Sequence, residues 1–352
     1  MKIELLTPVH IGSGNEIDLY EWKVNRAGNQ WARIDWLNLP LSLFPSDQIL
    51  RNANQLEAWR RNNLTWEVAF EHRLYAAKVM EGIQLPQNPR DRFRECIKDL
   101  ATLEPIIPGS SLKGAILTAY LYAHYEKARG FETDRYGNRR LKRNVQNELR
   151  SFARGSNPVN DFSCRFKVSD IAFPQSALRI NLAERKIKRR NPPVVKTWVE
   201  CISAGFKATA TISFASERVP SRNVSPSMQP LRKTDVEEII KRCNQFAVAV
   251  IQAELEYYDY IGRKYGERLP EYYEEYNLDF ANQLSANECL VRVGWGSGKN
   301  AVSLVLMNSK RDLARQPARN YPDTRPKSRW LFGGEEPPGW CIITFEPGDW
   351  IQ

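Results

Sequence analysis

The run from Thr234 to Gly262 constrains this chain more than any other. Thr234 and Glu237 form a T-x-x-E capping box. Behind it Val236, Ile239, Ile240, Cys243, Phe246, Ala247, Val250 and Ile251 recur at helical spacing. A helix with one long apolar stripe must lie on an apolar surface, so the pattern predicts a core-facing helix over about 234–262. Strand-like segments stand on both sides of it: KIELLTPVHI (2–11), 30–36, CRFKVSDIAF (164–173), two strands in 197–214 joined at Ala204–Gly205, ECLVRVGWGSG (288–298) and WCIITFEPGD (340–349). Segments 46–61 and 111–128 read as helices, the second with Leu112, Ala115, Ile116 and Ala119 on one face and Gly130 as its stop. Residues 65–80 fit helical and alternating patterns equally.

Strands and helices interleaved in this way predict an α+β fold with helices packed on antiparallel sheets. We expect two units, residues 1–195 with a polar, basic insertion about 130–160, and residues 196–352 with the long helix. The Pro/Ser stretch VPSRNVSPSMQP (219–230) reads as a loop.

Lys and Arg outnumber Asp and Glu by 51 to 41, a net charge of +10, which favours a polyanionic partner such as nucleic acid. No apolar run is long enough for a membrane span, and Glu4 interrupts the only apolar stretch near the N-terminus, so neither a membrane nor a secretory destination is expected. The six cysteines (96, 164, 201, 243, 289, 341) lack zinc spacing and read as buried free thiols in a reducing cytoplasm. HExxH, DxD and EF-hand patterns are missing, so no metal and no cofactor is expected. Of the three histidines, His124 reads as structural, whereas His10, beside the glycines at 12–14, is a candidate ligand contact.

IPGSSLKGAI (107–116) puts Lys113 and Gly114 in the first turn of a helix, where a cation faces the positive dipole end and glycine costs about 1 kcal/mol. A phosphate at the helix mouth would offset both. Free N–H groups, a capping Ser110 or Ser111 and a side-chain-free Gly114 suit one. The order Lys-Gly-Ala excludes a Walker A loop. GSGKNA (296–301) mimics a dinucleotide fingerprint but is followed by AVSLVLMNS, a poor first helix, and by Asp323 in YPDTRPK, which cannot end a strand. The basic run with Lys186, Lys188, Arg189 and Arg190 reads as a solvated face able to meet a nucleic-acid backbone. Phe131, Tyr136, Arg139 and Arg140 mix aromatic and basic groups as single-strand stacking surfaces do.

LTPVHIGSG (6–14), IPGSSLKGAI (107–116) and VRVGWGSGKN (291–300), in this order, resemble the signature segments of the RAMP superfamily of CRISPR proteins, and within it the subunit that caps the crRNA 3′ end in type III-A (Csm-type) effector complexes. The resemblance implies one or two ferredoxin-like (RRM-like) units with helical and loop insertions. It implies a non-catalytic subunit that binds crRNA, docks on neighbouring RAMP backbone subunits and has target RNA as a further partner. Carried over by motif, His10, Gly12, Ser13 and Gly14 would line the first turn, and Ser110, Ser111, Lys113 and Gly114 would contact guide phosphates. Gly294, Trp295, Gly296, Ser297, Gly298 and Lys299 would form the glycine-rich loop near its end. Leu117 departs from the pattern, since many members carry arginine there. Two alternatives stay open: a type III-B or III-D RAMP subunit, and a metal-independent ribonuclease using His10 as base and Lys113 as electrostatic stabiliser.

Overall fold

A computed structural model describes residues 1–25, 27, 29–86, 91–125, 131–133, 139–141, 166–187, 195–214, 233–265, 270–276, 278–302 and 328–346. Most of the basic insertion, including Tyr136, the Pro/Ser stretch, Cys164, Lys188, Arg189 and Arg190 lie outside the described residues.

Among the described residues two main sheets form. Their strands are β1 (Lys2–Leu5), β2 (Gly12–Ile17), β3 (Trp22–Asn25), β4 (Gln30–Ile34), β5 (Arg73–Val79), β6 (Phe93–Cys96), β7 (Leu178–Ile187), β8 (Val195–Ile202), β9 (Lys207–Thr209), β10 (Glu288–Arg292), β11 (Ser328–Phe332) and β12 (Trp340–Thr344). The four-stranded sheet has the order β9–β1–β12–β10 and is antiparallel throughout. The eight-stranded sheet runs β2–β6–β8–β7–β5–β4–β3, with β11 against the far end of β7. It is mixed, because β7 pairs with β5, and β8 with β6, in parallel.

Helices α1 (Ala53–Asn63) and α2 (Trp66–Glu71) flank the first hairpins, and α3 (Gly109–Tyr125), α4 (Lys233–Tyr265) and α5 (Gly298–Val302) follow. α3 and α4 lie side by side against β10. Four antiparallel strands with two helices against them make the ferredoxin-like unit, and the protein is α+β. All eight apolar residues of the α4 stripe are buried, as their spacing predicts. Each large one contributes about 1.5–3 kcal/mol by leaving water. The helix runs three residues past Gly262.

The ambiguous stretch 65–80 turns out to be both patterns in succession. Thr65 caps α2 by accepting from Val68 N, and the chain switches at His72 into β5. The glycines at 12–14 correct the expectation of a turn. They open β2, an exposed edge strand, with only Gly14 (φ 93°) in the left-handed region. Both sheets draw strands from either side of residue 195: β1 pairs with β12, and β7 with β8 and β11. The boundary expected at 195/196 falls at the second strand of one hairpin and coincides with no break in pairing. Cys96, Cys201, Cys243, Cys289 and Cys341 are free and buried.

Candidate nucleic-acid interface

Beyond β10 the chain reverses over Val293–Ser297, and this turn is built onto the His10 segment. Trp295 N donates to His10 O at 2.8 Å. Gly294 (φ +83) must be glycine for a second reason, since a Cβ would stand 2.5 Å from His10 O. Ser297 Oγ lies 2.7 Å from both Val293 O and Gly294 O and is 1% exposed. This corrects the expectation for Ser297, whose hydroxyl braces the turn and reaches no ligand. A Cβ on Gly296 would meet Pro338 Cγ at 2.7 Å, whereas the space around Gly298 is open. Gly298 and Lys299 begin α5, followed by Asn300, which is buried with its Oδ1 unpartnered among the described residues.

His10 is also corrected. Its ring is 2% exposed, packs edge-on against Trp295 and donates from Nδ1 to Glu200 O at 2.6 Å. Burial is the main reason its pKa falls to about 4, with the charges of Arg94 and Lys98 adding to it. A base in an RNA-cleaving reaction must reach a ribose hydroxyl, and this imidazole is sealed from one. The unfolded chain therefore takes up the histidine proton first. The contribution is complete above about pH 6.5, declines as pH falls through that window and is gone below about 4. It corresponds to about 3 kcal/mol. Urea denaturation at pH 7 and pH 4.5 should show His10→Asn losing less stability on acidification than the parent. Equal losses would refute the assignment.

β2 offers its exposed backbone at Gly12, Ser13 and Gly14. The Ser13 hydroxyl is committed, donating to Glu95 Oε2 at 2.9 Å and accepting from Asn15 N at 3.1 Å. A phosphate approaching here meets backbone and must avoid the Glu95 carboxylate.

The third segment begins α3. Gly109, not a serine, is its first residue, so neither Ser110 nor Ser111 is the cap. Gly109 N donates to Asp170 Oδ1 at 2.8 Å, and Ser111 N to Pro108 O at 2.9 Å. The anion at the helix mouth is thus the Asp170 carboxylate, which corrects the expectation of a phosphate there. What remains open is the flank. Ser110 and Gly114 are exposed, Ser111 and Lys113 half-buried, and a Cβ on Gly114 would have nothing within 4 Å. Within the chain no neighbour requires a glycine at that position. Leu117 is half-buried on the same helix.

The three glycine segments converge. The 293–298 turn locks onto His10 beside β2, and α5, which leaves it, packs on α3. Ala301 lines one small cavity with Ala115 and Ala119. Lys186 stands apart in β7, opposite Arg329 of β11, and Arg139–Leu141 pairs with Phe131–Thr133 in a short hairpin. Asp170 and Glu200 went unassigned by sequence. Asp170 sits visibly between two strand fragments, but only the fold shows its target. Arg94, whose guanidinium lies 5.0 Å over the Trp295 ring, had no local signal at all.

A family model for the RAMP superfamily matches residues 2–301. The "CRISPR system Cms protein Csm5" of Methanocaldococcus jannaschii is 25% identical over 268 residues, 72% of this chain and 62% of that protein's length. Among solved structures, a chain of a Csm–crRNA–target RNA ternary complex from a type III-A CRISPR–Cas system superposes with a TM-score of 0.71 at 20% identity, covering 98% of this chain and 99% of that one. Csm5 of T. onnurineus superposes with a TM-score of 0.63 at 19% identity, covering 97% and 100%.

Proposed function

Because the chain belongs to the RAMP superfamily, we propose that it is a crRNA-binding subunit of a type III CRISPR effector ribonucleoprotein, holding the 3′ part of the guide and capping the filament of backbone subunits. Its partners are then crRNA, neighbouring RAMP subunits and target RNA. The similarity to two proteins named Csm5 and to a chain of a type III-A Csm–crRNA complex supports the type III-A assignment over III-B or III-D.

The observation that carries the reading is the open strip on α3. A helix keeps an exposed glycine at a cost of about 1 kcal/mol only for a reason, and Gly114 has no protein neighbour that supplies one. Flanked by Ser110, Ser111 and Lys113, it lets an RNA backbone lie against the helix while two hydroxyls and an ammonium meet phosphate oxygens. The role is non-catalytic: the one histidine beside the glycine segments is buried behind Trp295 and Glu200, leaving the ribonuclease alternative without its base.

Ser110→Ala/Ser111→Ala/Lys113→Ala should bind single-stranded RNA about tenfold more weakly, and the slope of log affinity against log salt should fall by about one. Fluorescence anisotropy over a salt series reads both. An unchanged affinity and slope in a folded triple variant would sink the reading, and EDTA-resistant cleavage of repeat RNA by the purified chain would sink its non-catalytic part.

A further inference from the structure

One face of the eight-stranded sheet carries an arrangement that the three glycine segments do not account for. Trp330 of β11 lies directly across from Arg185 of β7, and Trp295 of the glycine turn comes down beside it, with ring centroids 4.8 Å apart. The pair rests on a buried apolar floor of Ala183, Val199, Cys201 and Phe332. The Arg94 guanidinium lies 5.0 Å over the Trp295 ring and that of Arg185 lies 6.0 Å over the Trp330 ring. All four side chains of this row are half-exposed.

The row is an odd use of surface if stability is its only purpose. Among the described residues neither arginine has a carboxylate partner, and the Nε of each is buried without an acceptor. A donor in that state carries a desolvation cost that the aromatic contact offsets only in part. Two uncompensated guanidiniums around a tryptophan pair, in a chain of net charge +10, suit an anion that also has a flat apolar face. An unpaired nucleotide is both, because its base stacks on aromatic rings and its phosphates meet the arginines. The row is also continuous with the interface, since Trp295 is hydrogen-bonded to the His10 carbonyl two residues before Gly12.

We infer that Trp295 and Trp330, flanked by Arg94 and Arg185, form a base-stacking site for an unpaired nucleotide of single-stranded RNA. The inference rests on the RNA-binding reading and adds to it that one or more bases, and not only the backbone, are held. It assigns Arg94, Arg185 and Trp330 to the interface.

The test uses the full chain and two probes of equal length, an oligouridylate and the same ribose-phosphate chain without bases. Trp330→Leu keeps an apolar cover over Phe332, and Arg185→Gln serves as a second variant that leaves both rings in place. The parent should bind the oligouridylate more tightly than the abasic chain, with quenching of tryptophan fluorescence. Trp330→Leu should lose about tenfold in affinity for the oligouridylate and almost none for the abasic chain. Arg185→Gln should weaken both. Equal affinity of the parent for the two probes, or an unchanged preference in Trp330→Leu, overturns the stacking site while leaving backbone binding intact. Failure of the parent to bind either probe overturns the RNA-binding reading itself.

Discussion

Glu200→Ala is expected to destabilise the protein by about 3–5 kcal/mol, because it strands a buried cation. Glu200 is 0% exposed and takes three donors: Tyr75 OH at 2.8 Å, Cys96 N at 2.9 Å and Lys98 Nζ at 2.5 Å. The Lys98 side chain is 6% exposed, and its other carboxylate, Glu95 Oε1, is 3.9 Å away. With Glu200 gone, the ammonium keeps its desolvation cost and loses its close partner, and Cys96 N and Tyr75 OH lose their acceptor. Lys98→Met in the same background removes the stranded charge and should recover a large part of the loss. Urea denaturation of the parent, both single variants and the double variant gives the coupling directly. Additive losses, or a Glu200→Ala loss below about 1 kcal/mol, would show that the cluster does not behave as a linked unit.

The consequence extends to the interface. Cys96 pairs with Gly12 across β6 and β2, and the Glu200 carbonyl holds the His10 ring. One residue of β8 therefore fixes the edge strand on one side and the His10–Trp295 stack on the other. Nothing near Glu200 in the sequence announces this, because its partners lie more than a hundred positions away along the chain. The α4 stripe was legible for the opposite reason: its period is local, and any apolar surface satisfies it. The same contrast explains the corrected residues. His10 and Ser297 stand beside glycines, which suggests exposure, but each is sealed by the segment that carries the other. Asp170 takes the helix mouth from 61 residues away. The expected boundary near 195 failed to mark a break for the same reason, since pairing of β1 with β12 joins the two ends of the chain through contacts that no local pattern encodes.

The two glycines of α3 should respond to the same substitution with opposite signs. In Gly109→Ala the new methyl would stand 2.0 Å from Val168 O, 2.7 Å from Val168 C and 2.8 Å from Ser169 O. All three are backbone atoms, which cannot swing aside as a flexible side chain would. The start of α3 must then draw away from Phe166–Val168, weakening the Gly109–Asp170 bond, and the loss should reach about 3 kcal/mol. In Gly114→Ala the methyl enters open space, and alanine should add about 1 kcal/mol to helix stability. If the α3 flank carries an RNA backbone, that more stable variant should nonetheless bind single-stranded RNA several-fold more weakly, because the methyl occupies the approach. Thermal melts and RNA titrations of the two variants separate fold from function at a spacing of five residues. A Gly114→Ala protein that melts higher and binds RNA as the parent does would leave the exposed glycine without a role in binding. A Gly109→Ala protein of unchanged stability would show that the contact between the helix mouth and the Val168 strand is looser than its geometry requires.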